Sequence, residues 1–129
     1  MKPGRQHLLK RLELAALEEI DRVLKALPRP LRQKAQALPI SLEPVPGSDL
    51  VKDGLEPDTL GLFVGDPYAD ALHASDNVPA QILLFLENIW EYAQRDTAAY
   101  REEVRVTYMH ELGHYLGLDE DDLFIRELD

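Results

Sequence analysis

His110, Glu111 and His114 form the pattern H-E-x-x-H near the end of a segment with helical periodicity. Residues four apart on a helix lie one above the other on the same face. Two imidazole nitrogens at that spacing can reach one metal ion, and the glutamate between them can address a metal-activated water. Zinc suits such a set. It accepts imidazole and carboxylate ligands, and its catalytic sites combine three protein ligands with an open position. A histidine pair is also an ordinary feature of a helix surface, so the continuation matters. Gly117 follows His114 by three residues, and Glu120 follows Gly117 by three, with Asp119 beside it. His110, His114 and Glu120 are therefore the candidate ligands of Zn²⁺, Asp119 is the alternative third ligand, and Glu111 is the candidate general base.

One helix has to position these groups. Glu103, Thr107, His110 and His114 fall on one face at about 100° per residue. Val104, Tyr108 and Leu112, flanked by Met109 and Leu116, fall roughly opposite and should be buried. Asp96 or Thr97 is a suitable N-cap. Gly117 is a suitable stop, because glycine adopts the left-handed conformation that ends helices. Asp119 to Asp122 would then open a short C-terminal helix running to about Leu128, where acids favour the dipole. Tyr68, Tyr108 and Tyr115 are the hydroxyls that could stabilise an oxyanion, although Tyr108 and Tyr115 point toward the core. His73 is a rival third ligand without supporting spacing, and His7 reads as a surface residue.

The extended pattern, H-E-x-x-H-x-x-G-x-x-E, differs from the metzincin pattern, which ends on a third histidine. It resembles the minimal zincin-like metallopeptidases, small bacterial proteins related to the Asp-zincins. The resemblance extends to Leu27-Pro28, to Leu60-Gly61-Leu62-Phe63-Val64-Gly65 and to the segment from Pro79 to Ile82, and it covers about Leu8 to Leu128. It implies zinc held at His110 and His114 with an acid as third ligand, and a catalytic glutamate at Glu111. The family's usual third ligand is Asp. Here Glu120 stands at that place and Asp119 one residue earlier, so both remain open. The implied reaction is hydrolysis of a peptide bond in a peptide or protein substrate, which could lie extended along a sheet edge near the cleft.

Composition narrows the alternatives. A length of 129 residues fits a single domain, 1–129, with an apolar fraction of 45% sufficient for one core. No apolar run is long enough to cross a bilayer. The N-terminal segment is charged and amphipathic, unlike a signal peptide, which leads to an expectation of a cytoplasmic protein without a membrane partner. With no cysteine, disulfides, thiolate zinc sites and cysteine nucleophiles are all excluded. The net charge of −10 argues against a nucleic-acid partner. It therefore weighs against a metal-dependent RNA hydrolase, a second use of histidines at this spacing. An inactive zinc-binding or interaction module on the same scaffold is the other alternative to a peptidase.

The remaining elements read as an α+β domain. A helix from about Gln6 to Ala26 carries Leu9, Leu12, Ala16, Ile20 and Val23 at spacings of three and four, with Leu27 just beyond and Leu17 and Leu24 widening the stripe. Glu, Lys and Arg fill its other face. Pro30 opens a short helix to about Leu38. Ile40 to Glu43 alternates as a strand, and nearby Pro44 and Pro46 mark it as short or at an edge. Val45 to Asp58 reads as a loop. Leu60 to Gly65 and Ala80 to Ile89 read as strands that could pair antiparallel, the second buried on both faces. Asn88 to Gln94 is ambiguous between strand end and helical turn. The expectation is a small zincin-like domain. A long N-terminal helix and a small mixed or antiparallel sheet would pack with the H-E-x-x-H helix and a short C-terminal helix.

Overall fold

The computed structural model describes residues 3–65 and 79–117. The expected C-terminal helix lies outside them. Its longest element is helix α1, Pro3–Ala26. Leu12, Ala16, Ile20 and Val23 are buried along it as the spacing requires. The buried arc is rotated from the expected one. Leu17 is 53% exposed, whereas Ala15 and Glu19 are buried. Helix α2, Arg29–Gln36, starts from Pro28, buries Leu31 and Ala35, and sends Arg32 back to the carbonyls of Leu24 and Leu27 at 3.1 and 2.9 Å. That guanidinium caps the end of α1, sharing the Leu24 carbonyl with the Leu27 amide and meeting the Leu27 carbonyl just beyond the helix.

Three strands form one sheet in the order β1-β3-β2. Strand β1 is Ile40–Glu43, β2 is Gly61–Val64, and β3 is Gln81–Phe85. Strand β1 pairs parallel with β3, Ile40 opposite Ile82, and β2 pairs antiparallel with β3, Phe63 opposite Ile82. The mixed sheet and the edge position of β1 agree with the sequence. Helix α3, Ser48–Lys52, occupies part of the segment expected to be loop.

Strand β3 is shorter than expected. Helix α4, Leu86–Tyr92, begins directly after Phe85. Leu86 and Ile89, three residues apart, are both buried, which is a helical period rather than an alternation. Within β3, Ile82 and Leu84 face the core and Leu83 is only half-buried, so the strand is not sealed evenly on both faces. Gln94 and Arg95, with φ of 57° and 59°, then reverse the chain. Helix α5, Thr97–Leu116, follows, with the Asp96 carboxylate accepting from the Ala99 amide at 2.9 Å as its N-cap. Gly117, at φ 71°, closes it in the left-handed conformation. None of the described helices is long and apolar enough to cross a membrane.

Helix α5 supplies the centre of the core through Tyr100, Val104, Tyr108 and Leu112, packed with α1, α4 and β3. Its seat against α1 is ionic as well as apolar. The fully buried Glu19 carboxylate accepts from Arg101 at 2.7 Å and also from Arg105, while Arg101 reaches Glu18 at 2.8 Å. Burial pushes the Glu19 carboxyl up, but hydrogen bonds from Arg101 and Arg105 and the charges of Arg22 and Arg105 outweigh it, so the group sits below the usual carboxylate range. A carboxylate with a depressed folded-state pKa stabilises above its unfolded value and loses that contribution as pH falls through the folded value. Removing one partner of a buried pair costs about 3–5 kcal/mol. The arginines here are one-third exposed and can rehydrate, so Glu19→Gln should cost about 2 kcal/mol at pH 7. Urea denaturation across pH checks this: the difference from the parent should shrink as pH drops below about 4.

Candidate metal centre

Helix α5 is fixed on two flanks. On one, Arg101 and Arg105 meet Glu19 of α1. On the other, β2 comes unusually close. A Cβ built on Gly61 would lie 2.6 Å from Thr107 Cγ2, a separation no real side chain tolerates. Glycine at this position is what lets strand and helix touch. Further along, the Phe63 ring packs on Tyr115 with centroids 5.7 Å apart. Strand β2 therefore runs alongside α5 in the same direction, Gly61 beside Thr107 and Phe63 beside Tyr115. Gly65 ends the strand at φ 109°, and a Cβ there would meet Ala80 Cα at 2.7 Å.

With the helix so seated, the three residues of the motif face different surroundings. Glu111 turns inward and is only 7% exposed. His110 and His114 turn outward, their side chains 47% and 54% exposed. Glu111 Oε1 lies 3.5 Å from His114 Nδ1, and Oε2 lies 3.9 Å from His110 Nε2. The two imidazole rings stand 4.6 Å apart at 63° to one another. One ligand atom from each of the three residues lies within 4.8 Å of the others. Two exposed imidazoles offer zinc two nitrogen ligands, the enclosed Glu111 carboxylate beside them can address a bound water, and the exposure of the pair leaves room for a further ligand and for water. The residues present fit the ion.

The other sequence candidates divide clearly. Glu120, Asp119, His73 and Tyr68 lie outside the described residues. Tyr108 is fully buried on the core side of α5, its hydroxyl has no hydrogen-bond partner among the described residues, and burial pushes its pKa up. Tyr115 is buried against Phe63. Both are core residues, as their positions on the helix indicated. His7 is exposed on α1. Glu19 and Gly61 are the residues whose roles the sequence did not disclose. Glu19 sits three residues after Ala16 and four before Val23, within the apolar stripe, and that spacing was the available signal.

The model of the zincin-like metallopeptidase family matches residues 35–128, which takes in the sheet and all of α5. The chain belongs to the zincin-like metallopeptidase family. No curated protein sequence matches it. Two of the glycines that carry the family likeness, Gly61 and Gly65, now have physical reasons. One admits the close approach of β2 to the motif helix, and the other takes a backbone conformation that other residues rarely adopt.

Gly61→Ala should force β2 and α5 apart and cost about 1–3 kcal/mol by overpacking. Thr107→Ser removes the Cγ2 that the new methyl would strike. The double variant should recover most of the loss in urea denaturation; simple addition of the two single costs would show that the contact does not set the spacing.

Proposed function

We propose that this zincin-like domain is a zinc-dependent peptidase, with His110 and His114 as ligands and Glu120 as the third, Asp119 being its alternative. The observation that carries the reading is the division within the motif. Glu111 is held almost out of water while touching two exposed imidazoles. A structural helix surface gives no reason to bury an acid between two histidines. Bound zinc would polarise a substrate carbonyl and lower the pKa of water to about 7. Glu111 then accepts a proton from the attacking water and passes it to the departing amine. Its fixed position is what suits it to both transfers, because a general base must lie within hydrogen-bond reach of the proton it takes.

Strand β2 supports a peptide substrate. It stands at the sheet edge among the described strands and runs alongside α5. A peptide pairing with it in extended form passes beside His110 and His114, and its backbone supplies affinity independent of sequence. The net charge of −10 favours such a substrate over a nucleic acid.

Glu111→Gln should retain zinc and lose at least about 100-fold in peptide hydrolysis, the usual minimum contribution of a general base. Cleavage is followed on a peptide library with metal content measured in parallel. Unchanged turnover in Glu111→Gln would refute the assigned role. Bound zinc without cleavage by the parent protein would leave a zinc-binding interaction module. Zinc affinity should fall more for Glu120→Ala than for Asp119→Ala, and the reverse order would transfer the third ligand to Asp119.

A further inference from the structure

Glu103 has no part in the chemistry above, yet it stands in line with it. It precedes His110 by seven residues, two helical turns, on the face that carries His110 and His114. Thr107, one turn further on, is the residue that packs against Gly61 of β2, so Glu103 stands on the same face of α5 one turn upstream of that contact. The separation along α5 is about 10 Å, which an extended peptide covers in about three residues.

The surroundings of Glu103 contrast with those of the other enclosed acids. Glu19 is met by Arg101 and Arg105, and Glu87 by Arg5 in a two-pronged pair. Glu103 is half-buried, and no cation or hydrogen-bond donor meets it among the described residues. Burial, and then the neighbouring charge of Glu102, push its carboxyl pKa up. Nor does the helix dipole account for it, because it lies seven residues into α5, beyond the first turn where that effect acts. A partly desolvated carboxylate beside a like charge is costly to the fold, and a cation brought by a ligand would relieve that cost.

We propose that Glu103 is a specificity-determining residue on the peptide path along β2 and α5, selecting peptide substrates with a lysine or arginine about three residues from the scissile bond, on the side toward the N-terminus of α5. The proposal rests on the peptidase reading for the path of the substrate. Glu103 recognises a side chain remote from the reacting atoms, so it acts on binding and on KM more than on kcat.

The test uses fluorescein-labelled octapeptides carrying Lys, norleucine or Glu at one position at a time. Binding is measured by anisotropy to zinc-loaded Glu111→Gln protein, alone and combined with Glu103→Gln or Glu103→Lys. Cleavage of the same peptides is measured with Glu111 intact. Lysine peptides should bind about fivefold tighter than norleucine peptides, the scale of one favourable partly screened ion pair. Glu103→Gln should abolish that difference while norleucine peptides bind within twofold of the parent, and Glu103→Lys should reverse the preference toward glutamate peptides. A preference that survives Glu103→Gln, equal binding of all peptides, or no binding of any of them would overturn the proposal. Cleavage without a charge preference would overturn it and leave the peptidase standing. A Glu103-dependent preference in binding, with no cleavage by the parent, would remove the peptidase and with it the substrate role proposed for Glu103.

Discussion

The buried carboxylate of Glu19 controls which way the motif helix faces. Successive helical residues are about 100° apart, so a rotation of α5 by one position would turn an imidazole into the core and Glu111 into solvent. Apolar packing alone tolerates small rolls, because the hydrophobic effect is not directional. Hydrogen bonds from Arg101 and Arg105 to a single buried acid do not, since a roll would leave a charge out of water without its partners. On the opposite flank, the contact of Gly61 with Thr107 fixes how close the helix lies to β2. Helix α5 is thus held from both sides, at the level of Arg101 to Thr107, and its next turns present the motif.

That arrangement explains how a short sequence pattern acquires two contrasting environments. His110 and His114 are adjacent in space and exposed, while Glu111 between them is enclosed. The exposed pair can take up an ion from solution without rearrangement of the core. The enclosed acid is held in place by its packing and would lose little entropy in the proton transfers proposed for it. Strand β2 lies along the same helix and has no further strand on its outer side among the described residues.

Much of this could be read from residue types and spacing. Helix α5 carries its own instructions, a capping Asp96, a terminating Gly117 and an apolar face at the right period, so its limits and its buried face were expected correctly, while Thr107 on the histidine side is buried by β2. The strands beginning at Ile40 and near Leu60, and the antiparallel pairing of β2 with β3, were legible for the same local reason. What failed were features whose cause is tertiary. The apolar run from Ile82 to Leu86 led the strand reading on to Ile89, and the burial of Leu86 and Ile89 at a helical spacing shows that stretch to be the start of α4. Gln94 and Arg95 adopt left-handed conformations without the glycine or asparagine that usually signals them. Leu17 looked like core and Glu19 like surface, because the sequence of α1 does not contain its partners. The cluster of His110, Glu111 and His114 was legible because a helix fixes its geometry, whereas the acid from beyond Gly117 depends on the path of the chain after the helix ends.

His110, Glu111 and His114 bring ligand atoms within 4.8 Å of one another, an arrangement suited to a metal ion. The most direct test is metal analysis by mass spectrometry of untagged protein, with the His110→Ala variant prepared alongside. One zinc per folded chain, lost in the variant while its circular dichroism stays unchanged, is the result the structure predicts. No zinc in either protein, even after incubation with the ion and dialysis, would contradict it and reduce the motif to the surface of a structural helix.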